Sequence, residues 1–350
     1  MVLYFRNMGI RKIQLSDFRN FKKKEFEFSE GITVIVGPNA SGKTNILESL
    51  FLLSSGKSFK AKIEEEMISY SSSIAGTTGI FGDTRLEVKL TRGNGWPRKK
   101  LLVNGVSKRL IDFAGNLRVT LFGPWDMGLV TESPSLRRGF MDMVLSQADR
   151  EYRRAILSYE KGLRQRNRLL YRIREEGLSR SQLLFWDKLL TRNGNYISSA
   201  RQNLIDFINA TGGLNDQDFN LTYDSSAISE RRLEQYINEE IASATTLVGP
   251  HRDDFIFQIR STKHEIRNLN SFGSRGEQRM AILWLKLAEL AFVEAKTGEK
   301  PTLLLDDIFS ELDHEHRKIV MEVVKYQQTI ITTVDKHFIK GFKSSSLIKL

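Results

Sequence analysis

A glycine-rich loop with the chemistry to hold a polyphosphate occupies residues 37–44, with the sequence Gly-Pro-Asn-Ala-Ser-Gly-Lys-Thr. The β-forming run 32–36 precedes it, and an apolar pattern of helical spacing begins at Ile46. This is the G-x-x-x-x-G-K-[ST] pattern in the strand–loop–helix context that it requires. Backbone N–H groups and the helix N-terminus favour phosphate, Lys43 can reach the β- and γ-phosphates, and the Thr44 hydroxyl can ligate Mg²⁺. The pattern predicts that a nucleoside triphosphate is bound by Gly37, Pro38, Asn39, Ala40, Ser41, Gly42, Lys43 and Thr44.

A second stretch with catalytic potential is 303–307, three leucines followed by Asp306 and Asp307. A buried strand that ends in a carboxylate can hold Mg²⁺ beside the Thr44 hydroxyl, and Asp306 is the predicted metal-side residue. Asp307 points away from it on the pleat and is the predicted group that polarises the attacking water. The alternative, a strand followed by a solvated turn, loses weight because a phosphate loop is present in the same chain.

The third stretch, 272–279, places Ser274 and Gly276 at the start of a helical pattern. Exposed N–H groups at a helix start form an anion site. Since the loop 37–44 already binds phosphates from one side, this second site is expected to close over the nucleotide of another subunit. The competing interpretation is an ordinary N-capped helix.

The elements that must position these stretches alternate between strands and helices. Strands are predicted at 10–15, 25–28 and 32–36, and an antiparallel meander at 73–105 with turns at Gly82-Asp83 and Asn94-Gly95. Further buried strands are predicted at 118–122, 253–259, 301–307 and 328–334, and a helix from about Gly276. Strands alternating with helices around a phosphate loop predict an α/β fold with a parallel core sheet.

A helical region interrupts this pattern from about residue 134. Two long apolar stripes, at about 135–174 and 180–209, predict an antiparallel hairpin with a coiled-coil-like seam, joined near Glu176-Gly177. The domain prediction is therefore an ATPase lobe made of 1–133 and 245–350, with 134–244 as a mainly helical insertion.

Composition narrows the class of protein. The 350 residues are 40% hydrophobic and 27% charged, and no apolar run is long enough for a membrane span. The N-terminal stretch lacks a signal-peptide pattern, so a cytoplasmic protein is expected. The absence of cysteine excludes disulfides, thiolate metal sites and cysteine nucleophiles. The net charge of +11 favours a nucleic-acid partner, although a basic balance can also serve solubility alone.

Several motifs together resemble the RecF family of bacterial recombinational-repair ATPases, within the ABC-type and SMC-like superfamily. Residues 274–278 (Ser-Arg-Gly-Glu-Gln) resemble the ABC signature motif, and 310–313 (Ser-Glu-Leu-Asp) resemble the D-loop. The RecF-like stretches cover essentially the whole chain and are 18–21 (Phe-Arg-Asn-Phe), 37–44, 122–126 (Phe-Gly-Pro-Trp-Asp), 133–138 (Ser-Pro-Ser-Leu-Arg-Arg), 140–142 (Phe-Met-Asp), 163–167 (Leu-Arg-Gln-Arg-Asn) and 249–254 (Gly-Pro-His-Arg-Asp-Asp).

The resemblance implies a head-to-head, ATP-dependent homodimer in which each ATP·Mg²⁺ lies between 37–44 of one subunit and 274–278 of the other. It implies catalytic roles for Lys43 and Asp307 and metal-side roles for Thr44 and Asp306. It adds Arg19, Asn20, Ser274, Gly276 and Gln278 to the nucleotide-binding set. RecF-like proteins act in DNA replication, repair and the SOS response, bind gapped or junction DNA, single- or double-stranded, with the RecR and RecO mediators, and help to load RecA.

Three departures from the ABC pattern stand out. Asp307 occupies a position where many ABC ATPases carry Glu, and the shorter side chain predicts slow hydrolysis. The expected activity is a slow ATPase that DNA stimulates. Thr332 or Thr333 occupies the position of the switch histidine, and His337 lies too far along the chain to replace it. The sequence does not assign the polar Q-loop residue, for which Asp126 is a candidate.

Arginine is concentrated in 150–180, which has nine arginines against four glutamates. A basic helical arm can bind DNA phosphates without reading bases, whereas the alternative is a solvated face paired with those acids. Lys22–Lys24, Lys99-Lys100 and Lys108-Arg109 are second candidates. The five histidines show no metal-ligand spacing, so Mg²⁺ carried with nucleotide is the only metal expected.

Two other functional classes remain open at this stage. A P-loop kinase or transferase is disfavoured by the signature and D-loop motifs, because a kinase has no use for a phosphate site supplied by a second subunit. An architectural DNA-binding protein with a vestigial ATP site is the other alternative.

Overall fold

The computed structural model describes residues 9–93, 98–260, 266–334 and 346–350. The strands in these ranges are β1 (Ile10–Phe18), β2 (Phe21–Glu27), β3 (Ile32–Val36), β4 (Ile74–Phe81), β5 (Thr84–Thr91), β6 (Arg98–Val103), β7 (Val106–Lys108), β8 (Val119–Phe122), β9 (Asp218–Asp224), β10 (Asp254–Arg260), β11 (Ile266–Asn268), β12 (Thr302–Asp306), β13 (Thr329–Thr333) and β14 (Ser346–Lys349).

The α-helices in the same ranges are α1 (Lys43–Ser55), α2 (Leu110–Phe113), α3 (Gly128–Thr131), α4 (Pro134–Ala148), α5 (Arg150–Glu176), α6 (Leu184–Ala210), α7 (Glu230–Gln235), α8 (Ile237–Ser243), α9 (Leu269–Phe272), α10 (Arg275–Thr297), α11 (Ile308–Glu311) and α12 (His314–Val323).

The chain divides into two compact units, one made of 1–126 with 289–350 and the other of 127–288. The division differs from the expected boundaries of 134–244. The second unit also contains β10, β11 and the first part of α10, because β10 pairs with β9 from the helical region.

The first unit contains two sheets. The five-stranded sheet has the order β14-β3-β13-β12-β8 and is parallel in every pair. Every residue of its three inner strands except Ile32 is buried, as expected for a parallel sheet covered on both faces. The six-stranded sheet has the order β2-β1-β4-β5-β6-β7 and is antiparallel. The predicted parallel core and antiparallel meander are both confirmed.

The buried amide of Gln328 links the two sheets. Its Oε1 accepts hydrogen bonds from the Ile10 backbone N–H (2.8 Å) and the Thr302 hydroxyl (3.0 Å). Its Nε2 donates to the carbonyls of Ile10 (2.7 Å) and Ser29 (2.8 Å). Because all of its amide hydrogen-bonding capacity is used inside the protein, one side chain joins the start of β1 to the start of β12.

The second unit is built around the α5–α6 hairpin and the antiparallel sheet β11-β10-β9. Tyr159 and Leu170 on α5 and Leu190 and Ile197 on α6 are fully buried, in agreement with the predicted seam. The exposed edge of β9 is capped by Asn209, whose side-chain amide exchanges two hydrogen bonds with the backbone of Leu221 (2.8 and 2.9 Å).

Two helix boundaries differ from the prediction. The stripe at 135–174 is two helices, because Asp149 is extended and its carboxylate caps α5 by accepting from the Glu151 N–H (2.8 Å). A 3₁₀ turn, Arg180–Leu183, precedes α6, where a continuous helix was expected. The predicted turn at Asn94-Gly95 lies outside the described residues.

Candidate nucleotide site

The loop 37–44 joins β3 to the start of α1, in the predicted strand–loop–helix order. Ala40 and Gly42 adopt left-handed backbone conformations, with φ of 65° and 105°. A Cβ added at Gly42 would lie 2.6 Å from the Phe21 ring and 2.7 Å from the Asn20 amide nitrogen. Glycine is therefore required at position 42 by both the backbone angle and the space available.

Asn20 supports this loop from the β1–β2 turn. Its amide nitrogen donates to the Ser41 carbonyl (3.1 Å), and its amide oxygen accepts from the Asn45 side chain (2.9 Å). Asn20 thus fixes the loop and the first turn of α1 together, which is a positioning contact for the predicted phosphate-binding backbone.

Arg19, the neighbour of Asn20, points at α1. Its guanidinium makes a bidentate ion pair with Glu48 (2.6 and 2.8 Å), whose side chain is fully buried, and it also donates to the Glu66 carbonyl (2.6 Å). Removing Arg19 would leave a buried carboxylate without this pair. In this conformation Arg19 supports α1, and its predicted contact with nucleotide would require Glu48 to release it.

Lys43 lies almost buried inside the loop. Its ammonium donates to the carbonyls of Gly37 and Pro38, both at 2.8 Å. Burial lowers the pKa of Lys43 from its ordinary value, while the charges of Asp307 and Asp306 oppose that shift. An entering phosphate would therefore meet an ammonium whose present partners are neutral carbonyls and which can exchange them for phosphate oxygens.

Two threonine hydroxyls hold the Asp306 carboxylate at the end of β12. Thr44 Oγ1 donates to Oδ2 (2.8 Å), and Thr332 Oγ1 donates to Oδ1 (2.5 Å). The Thr44 hydroxyl oxygen keeps lone pairs for a cation while it donates to Asp306. This oxygen-only donor set at the mouth of a phosphate loop fits Mg²⁺ held with nucleotide, so the predicted metal-side residues do lie together.

Asp307 begins the turn into α11 with a left-handed φ of 48°, a conformation that Asp tolerates better than most residues. Its backbone N–H donates to Thr332 Oγ1 (3.0 Å). Thr332 therefore contacts both aspartates, a role that the sequence interpretation of Thr332 or Thr333 as the switch residue did not include. The parallel pairing of Thr332 with Asp306 is the structural reason.

The residues that resemble a D-loop, 310–313, follow directly in the chain. The Ser310 hydroxyl donates to the Asp307 carbonyl (2.6 Å), and Asp313 caps α12 by accepting from the His316 N–H (3.0 Å). The hydrogen bond from the His316 backbone lowers the pKa of Asp313.

The Q-loop candidate, Asp126, is buried and accepts from the Gly123 N–H (2.9 Å). Its neighbour Trp125 stacks on Phe59 with a centroid distance of 4.9 Å. The carboxylate is thus used within its own turn.

The signature-like residues lie in the second unit, at the start of α10. Ser274 and Glu277 form a capping box: the N–H and hydroxyl of Ser274 donate to the Glu277 carboxylate (2.8 and 2.9 Å), and the Glu277 N–H donates to Ser274 Oγ (3.3 Å). Gln278 is buried and donates to the Leu269 carbonyl (2.9 Å). Ser274, Arg275 and Gly276 are exposed.

The Glu277 carboxylate also pairs with Arg267. Partial burial raises the pKa of Glu277, but hydrogen bonds from Ser274 and the charge of Arg267 outweigh it and lower the pKa. Helix α10 therefore begins as an ordinary N-capped helix. Its first turn is also exposed, so a ligand could reach it.

The motif 249–254 has a structural role in the second unit. The buried Arg201 guanidinium donates to Asp253 (2.9 Å), Asp142 (2.8 Å) and the Pro250 carbonyl (2.6 Å). His251 lies between the Tyr159 hydroxyl (2.8 Å) and the Thr246 carbonyl (3.0 Å), and burial lowers its pKa to about 4. His251 is thus neutral at pH 7, with Nε2 donating to the carbonyl and Nδ1 accepting from Tyr159.

No described helix has both the length and the apolar composition needed to cross a membrane. Within the described ranges, His, Asp and Glu side chains form no cluster of three or more suited to a metal ion.

Comparison with known proteins identifies the family. The model of the RecF/RecN/SMC N-terminal domain matches residues 9–350. A DNA replication and repair protein RecF from Herpetosiphon aurantiacus is 35% identical over 94% of each chain, and one from Clostridium beijerinckii is 35% identical over 93% of this chain and 91% of its own. The chain belongs to the RecF family.

Solved structures agree with this assignment. A structure of the recombination mediator protein RecF-ATP of the RecFOR pathway is 31% identical, with a TM-score of 0.85 over 93% of this chain and 92% of that chain. An Smc head domain from Pyrococcus furiosus shares the fold, with a TM-score of 0.51 at 17% identity. The RecF family members are ABC-type ATPases, so the predicted fold class and the recognised family are confirmed.

Proposed function

We propose that this chain is an ATP-binding DNA-repair protein that dimerises head to head on ATP·Mg²⁺. The Gly37–Thr44 loop of one subunit and the turn 274–278 of its partner would enclose each nucleotide. The observation that carries the proposal is the exposure of Ser274, Arg275 and Gly276 at the start of a 23-residue helix. A phosphate-binding turn that faces solvent in its own subunit is available to a nucleotide held by another.

Within each site the roles follow from the contacts. The loop backbone and Lys43 bind the β- and γ-phosphates, and Thr44 with Asp306 holds the metal side. Bound Mg²⁺ would neutralise charge on the phosphate oxygens. Asp307 would orient the attacking water, and Ser274 would exchange its bond to Glu277 for a bond to the γ-phosphate.

Hydrolysis is expected to be slow and stimulated by DNA. The Asp307 side chain is short, and its backbone is fixed by Thr332 in a left-handed turn, so the carboxylate has little freedom to approach the water. ATP would act as a conformational ligand that favours the closed dimer, and hydrolysis would release it. Tens of turnovers per second from the isolated protein would contradict this part of the proposal.

The DNA partner follows from charge and family. A net charge of +11 suits a polyanion, and the curated relatives are replication and repair proteins. We propose that the closed dimer clamps gapped or junction DNA in the cytoplasm, works with RecR and RecO, and helps them to load RecA.

Mixing two inactive variants tests the shared site. Asp307→Asn should bind ATP without hydrolysing it, and Ser274→Arg should block the signature turn while leaving its own loop intact. In a mixed dimer, the intact loop of the Ser274→Arg subunit meets the intact turn of the Asp307→Asn subunit. Phosphate release should therefore reappear on mixing, whereas a site contained in one subunit would give no gain.

A further inference from the structure

The arginine-rich helix α5 contains two different groups of cations. Between Glu160 and Glu175 it carries six basic residues and no acidic one. Arg166 belongs to the structural group: its side chain is fully buried and pairs with Asp187 and Glu240, both at 2.6 Å. Arg172 pairs with Glu176, and Arg174 pairs with Glu175 and donates to the Ala242 carbonyl.

The second group is exposed and has no ion-pair partner among the described residues. It consists of Lys161, Arg164 and Arg168. They are spaced three and four residues apart, so they form a ladder along one side of the helix. The buried residues Tyr159, Gly162, Arg166 and Leu170 share one side of α5, on which Gly162 lies against α6, so the ladder lies on the opposite, exposed side of the helix.

We propose that Lys161, Arg164 and Arg168 contact the DNA phosphate backbone. The proposal rests on the DNA-binding function proposed above and identifies the surface that carries it. The ladder extends about 10 Å along the helix axis, a length that matches about three base pairs at 3.4 Å each. Three unpaired cations at this spacing attract phosphates without any base-reading contact.

The basic run Lys22–Lys24, another candidate for contact with DNA, has a physical explanation that does not involve DNA. Lys22–Lys24 lies on β2, an edge strand of the six-stranded sheet. Side chains alternate along a strand, so Lys23 points to the opposite face from Lys22 and Lys24. Exposed lysines on an edge strand prevent pairing with other strands, a role that needs no ligand.

Helix α6 provides a matched control. Lys188 and Arg192 are exposed, have no ion-pair partner in the described part of the chain, and are four residues apart. Leu190 and Gly194 face α5, so Lys188 and Arg192 lie on the far side of the hairpin from the ladder. The pair Lys188→Gln/Arg192→Gln removes the same charge as Arg164→Gln/Arg168→Gln, and all four sites are exposed.

The test measures binding of a fluorescent gapped duplex by anisotropy, with ATP·Mg²⁺ present, at several salt concentrations. Arg164→Gln/Arg168→Gln should weaken binding roughly tenfold near physiological salt and reduce the salt slope by about 2, about 1 for each lost phosphate contact. The control pair should change both quantities much less. Nucleotide binding, ATP-dependent dimerisation and the circular dichroism spectrum should be unchanged in both.

The outcomes separate this proposal from the proposed function. If the wild-type protein binds DNA but the Arg164→Gln/Arg168→Gln variant binds equally well, or if both pairs lose the same affinity, the surface assignment is overturned and the DNA function stands. If the wild-type protein does not bind DNA, the proposed function itself fails. A single-stranded oligonucleotide as a second probe shows whether the supported contact is to duplex or to single-stranded backbone.

Discussion

Thr332 is one of the two candidates for the switch-histidine position, and its hydroxyl contacts both aspartates of the site. It donates to the Asp306 carboxylate and accepts from the Asp307 N–H, while Thr44 donates to the other Asp306 oxygen. The Asp306 carboxylate is therefore held from both sides, which fixes its orientation toward the metal position. Thr332 is therefore a positioning residue, because it contacts Asp306 and Asp307 and acts through them.

Thr332→Val should lower kcat for ATP hydrolysis by about tenfold and raise the Mg²⁺ concentration needed for half-maximal rate. The KM for ATP should change little, because the phosphate loop is intact. Steady-state phosphate release at varied ATP and Mg²⁺ measures all three quantities.

Thr332→Ser is the control for that prediction, since it keeps the hydroxyl and should restore most of the rate and the normal Mg²⁺ dependence. Equal losses in both variants, or an unchanged Mg²⁺ requirement in Thr332→Val, would show that Thr332 is only a packing residue.

At the scale of elements, the order of β3, the loop 37–44 and α1 could be predicted from the sequence. The conformational preferences of glycine and of β-forming residues act on their own stretch of backbone and do not depend on distant contacts. The N-capped helix at Ser274 was the competing interpretation of its stretch, and it is equally local, since the structure shows Ser274 and Glu277 capping the helix together. The sequence does not predict the break between α4 and α5 at Asp149, because the apolar stripe continues across this residue. The break depends on the single Asp149 carboxylate, which caps the start of α5. The role of Arg166 was missed because its partner Glu240 is distant in sequence and only tertiary packing brings them together.

Arg166→Met should destabilise the second unit by about 3–5 kcal/mol, because it leaves the fully buried Glu240 carboxylate without its counter-charge. Urea unfolding followed by circular dichroism measures the loss. Glu240→Gln in the same chain keeps an acceptor for the Leu247 N–H and removes the charge, so it should recover part of the stability.

A loss below about 1 kcal/mol for Arg166→Met, or no recovery in the double variant, would mean that the buried ion pair contributes little to the fold.

For the whole molecule, the sequence predicted an ATPase lobe interrupted by helices, and the family comparison agrees with that fold. The boundary between the units could not be read from composition, because β10 has the alternating pattern of any half-buried strand and only its pairing with β9 assigns it to the second unit. The group that the exposed Ser274 turn would contact likewise cannot be predicted from the sequence, because in the proposed dimer it belongs to another subunit.

In the proposed function, nucleotide joins two subunits through the Ser274 turn. Sedimentation velocity should show a monomer without nucleotide and a dimer with ATP·Mg²⁺. Ser274→Arg on its own, in which both shared sites are blocked, should bind ATP and stay monomeric. A wild-type protein that remains monomeric with ATP bound, or a Ser274→Arg variant that dimerises as well as the wild type, would contradict it.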